Sequence, residues 1–120
     1  MKKGELPRAV QSCHELLLWI IPLLDQFPRN RRFTLGERLE STLLEVLEQM
    51  TEATYSSNRR KGGALQRANL RLQVARHLWR LSQELKVISL RRYEHGARLM
   101  EELGKQVGGW SRAMTSEPNK

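Results

Sequence analysis

Residues 27–40 read FPRNRRFTLGERLE, and this stretch decides how the chain divides. It joins two strongly apolar segments of helical period. It crowds Arg29, Arg31 and Arg32 into one short connection. The next helix is then predicted to open on a capping box, Thr34-x-x-Glu37. In that arrangement the Thr34 hydroxyl accepts from the Glu37 amide, and the Glu37 carboxylate reaches back to the Thr34 amide. A basic connection ending in a firm helix start predicts a rigid scaffold with a cationic corner.

On its N-terminal side the spacing predicts a helix over 7–26. Pro7 suits a first helical position, where its missing amide donor costs nothing. The second half, Leu16 to Leu24, is apolar nearly all round and must be covered on more than one side. One bundle covers one side, and a second copy is the natural cover for the rest. Pro22 removes the bond to the Leu18 carbonyl and predicts a kink.

On the C-terminal side, Leu35, Leu39, Leu43, Val46 and Met50 repeat every three or four residues, predicting a helix over 34–57. Glu37, Glu40, Glu45, Glu48 and Glu52 occupy its other faces. Residues 56–63, SSNRRKGG, read as a flexible loop. A third helix over 64–86 buries Leu65, Ala68, Leu72, Ala75 and Trp79, with Leu78, Leu81 and Leu85 widening the stripe. A fourth starts at the cap residue Ser89 and runs to Met114, carrying Tyr93, Ala97, Met100, Leu103, Val107 and Trp110. Its Gly96, Gly104 and Gly108 each weaken a helix by about 1 kcal/mol relative to alanine, a cost that close approach to a neighbouring helix would offset. Residues 115–120 read as a disordered tail. Nothing shows strand alternation. The expected fold is all-α, an antiparallel up-down four-helix bundle forming one domain over residues 1–114.

The chain has 120 residues, 39% hydrophobic and 28% charged, which fits a soluble helical protein. Cys13 is the only cysteine, so no internal disulfide can form, in keeping with a reducing compartment. Lys2 and Lys3 precede the apolar run, but no small-residue cleavage site follows it. The run is also shorter than the roughly 20 residues that span a bilayer. A cytoplasmic location is expected.

Net charge is +8, and its distribution is uneven. Residues 34–58 hold five Glu and one Arg, whereas residues 59–92 hold ten Lys/Arg and a single acid, Glu84. These cations are Arg59, Arg60 and Lys61 in the expected loop, Arg67, Arg71, Arg76 and Arg80 on the third helix, then Lys86, Arg91 and Arg92. Some arginines should pair with glutamates of the second helix, but five glutamates cannot neutralise ten cations. The surplus attracts polyanions, and a preference for arginine favours bidentate phosphate contacts. The candidate nucleic-acid-binding residues are therefore Arg59, Arg60, Lys61, Arg67, Arg71, Arg76, Arg80, Arg91 and Arg92. The charge pattern does not separate RNA from DNA. Arg76 and Arg80, held on a helix beside Trp79, are expected to contribute more per residue than the loop cations, which must lose freedom on binding.

Catalysis finds no constellation. His14, His77 and His95 lie in no E-x-x-H pair. Cys13 and His14 are neighbours pointing about 100° apart. Gly62-Gly63 is followed by Ala64-Leu65 and not by the Lys-Ser/Thr of a phosphate loop. No catalytic residue, metal or cofactor is expected. Trp19, Trp79 and Trp110 fall within apolar patterns, which favours core packing over base stacking.

Three marks together resemble the Avd family, the accessory variability determinants of diversity-generating retroelements. They are Phe27-Pro28 leading to Phe33-Thr34-Leu35-Gly36, the pattern Arg76-x-x-Trp79-Arg80, and the ending Gly108-Gly109-Trp110. The resemblance spans residues 6–113. It implies a non-catalytic four-helix bundle that assembles as a basic homopentamer. It further implies partnership with the element's reverse transcriptase and with structured RNA, the template-repeat RNA in particular, with DNA as a second candidate. Such a protein supports the copying of that RNA into mutated cDNA. Two alternatives stay open on the residues alone: an orphan RNA-binding bundle of the ribosomal intervening-sequence type, and a helical adaptor for an acidic protein partner.

Overall fold

Pro7 begins the first helix from the cap position, its carbonyl accepting the amides of Val10 and Gln11 at 3.0 and 3.2 Å. This helix, α1, spans Arg8–Leu24 and contains Pro22. The computed structural model describes residues 6–116. Leu16, Leu17, Ile20 and Leu24 of α1 are buried, and Trp19, Ile21 and Leu23 are half-buried. Of the apolar run, Leu18 is largely uncovered, at 66% exposure, and Pro22 is exposed as well. The run is covered better than its composition suggests because α1 lies against two helices at once.

The connection after α1 departs from the expected loop. Pro28 accepts the amides of Arg31 and Arg32, both at 2.8 Å, so the chain is already helical at Arg29. Helix α2 covers residues 29–55: a first turn Arg29–Arg31, a π-helical turn Arg32–Gly36, then an α-helix Glu37–Tyr55. The capping box is therefore not made. Thr34 sits inside the helix, where its amide is no orphan, and its hydroxyl donates to the carbonyls of Asn30 and Arg31 at 3.5 and 3.4 Å. Gly36 is buried against Phe27: a Cβ there would lie 3.3 Å from the Phe27 ring. The wide π turn brings the helix against that aromatic.

The second connection is also shorter than expected. Helix α3 spans Asn58–Glu84 and includes Gly62 and Gly63. Only Ser56 and Ser57 separate it from α2. Lys61 explains part of this. Its ammonium donates to the Ala53 and Thr54 carbonyls at 2.7 and 3.3 Å, satisfying the frayed end of α2. Docking of Ala64 and Leu65 in the core then outweighs the poor helix propensity of two glycines.

Helix α3 ends in a Schellman turn. Val87 donates to the Ser82 carbonyl at 2.8 Å and Lys86 to that of Gln83 at 2.9 Å. Lys86 takes the left-handed position, φ 61°, usually given to glycine. Lys86→Gly should stabilise the fold by about 0.5–1 kcal/mol, read as a raised urea midpoint with unchanged slope.

Helix α4 spans Leu90–Ser116, and Ser89 caps it as expected, its hydroxyl accepting the Arg92 amide at 3.1 Å. The helix thus passes Met114, and the rest of the expected tail, residues 117–120, lies outside the described residues. The fold is all-α: four antiparallel helices, with no strand among the described residues. Helix α1 packs on α2 and α4, and α3 packs on α2 and α4, so the ring of neighbours closes in a rod of 50 × 24 × 22 Å.

The stripes expected on α2 to α4 form the core, although Leu78, Tyr93, Ala97 and Trp110 are only half-buried at its margin. Leu35 is only half-buried, and Leu81 and Leu85 are exposed, at 44% and 47%. They sit where α3 nears its end and its outer edge turns to solvent. Of the three glycines expected to permit close approach, Gly96 does so unambiguously. An added Cβ would stand 2.6–2.7 Å from the Trp79 indole. At Gly104 the nearest foreign atom would be an ordinary 3.6 Å away, and at Gly108 it belongs to Arg112 of the same helix.

Cys13 lies in the core, where burial pushes its thiol from 9.0 up to about 12. Only the folded state disfavours the thiolate. The stability tied to this thiol is therefore complete below about pH 9 and is lost as pH rises toward 12. At pH 8 Cys13 should react with a disulfide reagent only as fast as the fold opens. Prompt labelling of the native protein would contradict this.

Candidate nucleic-acid interface

The ten cations of residues 59–92 do not form one patch, because α3 carries them along the length of the rod. Arg59, Arg60 and Lys61 occupy the first turn of α3 at one end. Lys86, Arg91 and Arg92 lie at the other end, about 40 Å away at 1.5 Å per residue. The first three are helical, so the expectation that they must lose loop freedom on binding does not hold. Lys61 is further tied to two carbonyls of α2.

The third-helix arginines split by face. Arg67 turns to α2, donating to Gln49 Oε1 and Glu52 Oε2, each at 2.9 Å. Arg71 lies 3.4 Å from Glu45. These are the expected pairings with the acidic helix, and they offset the positive charge of that flank, although both pairs are about half exposed and weak. Arg76 and Arg80 sit on the opposite side of the core stripe by helical phase. Both are exposed beside the buried Trp79. Arg80 pairs with Glu84 at 3.1 Å, while Arg76 makes no ion pair among the described residues.

The cationic corner read in residues 27–40 is real, but helical. The antiparallel arrangement brings Arg29, Arg31 and Arg32 of α2 to the same end as Lys86, Arg91 and Arg92. Against these six cations, residues 25–32 and 84–92 hold two acids, Asp25 and Glu84. Asp25 lies 3.7 Å from Arg32, with both side chains about half exposed. Such a pair is weak and leaves most of the field intact.

The other marked segments are structural. Trp79 is buried, donates its indole N–H to the Tyr93 carbonyl at 2.9 Å, and meets Trp19 edge-on at 6.0 Å. Trp19 in turn lies against His95, ring centres 4.7 Å apart. Trp110 is half-buried. Among the described residues no group of three or more His, Cys, Asp or Glu is placed to hold a metal ion. None of the helices described is long and apolar enough to cross a membrane.

Compared with known proteins, residues 9–114 match the family model described as bAvd-like. The chain belongs to this family. As an Avd-like protein it is an accessory protein of diversity-generating retroelements, a group generally without catalytic activity. No curated protein matches the chain. In this Avd-like chain, the cations counted along residues 59–92 leave out Arg29, Arg31 and Arg32, which the fold brings to the same end as Lys86, Arg91 and Arg92. The signal was present in FPRNRR. What was missing was the partner segment, because only the antiparallel turn-back of α3 and α4 places Lys86, Arg91 and Arg92 beside it.

Proposed function

We propose that this Avd-like protein is a non-catalytic, nucleic-acid-binding accessory that acts in the cytoplasm. It assembles as a homopentamer with the element's reverse transcriptase and the structured template-repeat RNA, and supports mutagenic cDNA synthesis. The cationic end of the bundle carries this reading: Arg29, Arg31 and Arg32 at the start of α2 come to the same end as Lys86 in the turn after α3 and Arg91 and Arg92 at the start of α4. Phosphate contacts from such a surface position a nucleic acid and read little sequence. The backbone that holds most of these cations is already helical, so little backbone freedom is lost on binding. An exposed leucine edge on α3, with Leu70 at 61% and Leu81 at 44%, supports self-assembly.

The test is binding of an unrelated structured RNA across a salt series, with light scattering of the purified protein. Affinity should fall steeply with salt, and the mass should be a multiple of 14.0 kDa. Salt-independent binding would sink the nucleic-acid reading, and a mass of one subunit would sink the assembly.

A further inference from the structure

Phe33 stands out at the cationic end. It is 61% exposed, on the π-helical turn of α2, in a segment crowded with arginine. The Arg32 guanidinium carbon lies 5.5 Å from the ring centre. A large apolar ring left in solvent is not explained by the core, which is complete without it. π-Helical turns inside α-helices frequently mark functional positions.

The ring forms a wall between two hollows. One, of about 300 Å³, is bounded by Leu24, Gly36 and Leu44, with Asp25, Glu37, Glu40 and Arg32 at its edge. The other, of about 670 Å³, is bounded by Leu35 and Leu85, with Arg31, Arg38 and Glu37 at its edge. Three carboxylates against one arginine make the first hollow poor for a phosphate and supply acceptors for base N–H groups. Two arginines against one carboxylate make the second the better place for phosphate. A solvent-facing aromatic beside guanidinium groups is the combination that holds single strands: the backbone follows the charge and a base stacks on the ring. A duplex presents phosphates but keeps its base faces stacked inside, so the ring gives it nothing.

We propose that the Phe33 turn binds an unpaired stretch of nucleic acid, one base stacking on Phe33 while Arg31 and Arg38 hold the neighbouring phosphates. This rests on the nucleic-acid reading above and narrows it to single strand. The test uses the full chain, as wild type, Phe33→Ala and Phe33→Trp. Three labelled probes are compared at low salt: an oligouridylate, an abasic strand of the same length, and a blunt RNA duplex. Phe33→Ala should weaken oligouridylate binding about tenfold and leave the other two probes unchanged. Its salt dependence should also be unchanged, since no phosphate contact is removed. Phe33→Trp should restore oligouridylate binding. Unchanged oligouridylate binding by Phe33→Ala, or an equal loss for all three probes, overturns the proposal. So does an altered mass for Phe33→Ala by light scattering, which would make the ring a protein contact. Wild-type protein that binds none of the probes fails the broader reading as well. Duplex binding with an indifferent Phe33 fails this inference alone.

Discussion

Replacing Gly96 by alanine should lower the melting temperature by about 6–10 °C. The added methyl would stand 2.6 Å from Trp79 Nε1 and 2.7 Å from Cε2 and Cζ2, distances that no relaxed structure tolerates. The obstacle is a rigid indole and not the tip of a flexible chain. Trp79 is 1% exposed and its N–H is held by the Tyr93 carbonyl at 2.9 Å, so it cannot swing aside without losing that bond. Overpacking of this kind costs about 3 kcal/mol, and each kcal/mol shifts the melting point of a domain this size by about 3–5 °C. Alanine's better helix propensity recovers only about 1 kcal/mol. The mechanism also predicts coupling. Trp79→Phe makes room, so the double variant should be more stable than the two single effects added together. A Gly96→Ala protein that melts like wild type, or strict additivity with Trp79→Phe, would show that the seam between α3 and α4 adapts more easily than its geometry implies.

The second large effect concerns charge. Exchanging Arg29, Arg31, Arg32, Lys86, Arg91 and Arg92 for glutamine should weaken RNA binding about a hundredfold or more near 0.1 M salt. The slope of log affinity against log salt should become markedly shallower, because each lost phosphate contact removes about 0.7–0.9 from it. These side chains lie at the helix ends, and the one ion pair they make among the described residues, Arg32 with Asp25, is solvent-exposed. Stability should hardly change. The pair Arg67→Gln and Arg71→Gln serves as the contrast. Their charges already face Glu52 and Glu45, so their loss should alter binding only a few-fold. Binding that survives the six exchanges but collapses with Arg76→Gln and Arg80→Gln would move the interface to the flank beside Trp79. Binding lost with Arg59→Gln and Arg60→Gln alone would move it to the opposite end of the rod.

Much of this protein was legible from period and punctuation. Leu39, Leu43, Val46 and Met50, then Leu65, Ala68, Leu72, Ala75 and Trp79, repeat at helical spacing, and all are buried. Burial follows such stripes because the hydrophobic effect acts on every residue of a helical face together. Helix boundaries were less legible. Thr34-x-x-Glu37 is a valid capping signal, yet Pro28 starts the helix first, and a cap has no use where the preceding turn is already hydrogen-bonded. SSNRRKGG is a valid loop signal, yet Lys61 reaches the carbonyls of the previous helix and the core takes Ala64 and Leu65.

The sequence by itself determined the helical class, the stripes that meet in the core, the cap at Ser89 and the surplus of positive charge. Each depends on neighbours a few residues away or on simple counting. Tertiary structure alone decided which charges cancel and which converge. Arg67 and Arg71 are paired with glutamates of α2, while Arg29, Arg31 and Arg32 gain Lys86, Arg91 and Arg92 as companions across more than fifty positions of chain. It also decided that Phe33 stays in solvent, since the π turn sets the direction of that ring. Coulomb fields act through space, whereas the sequence orders residues along the chain. An electrostatic site built from two hairpin ends can be read only after the chain has turned back on itself.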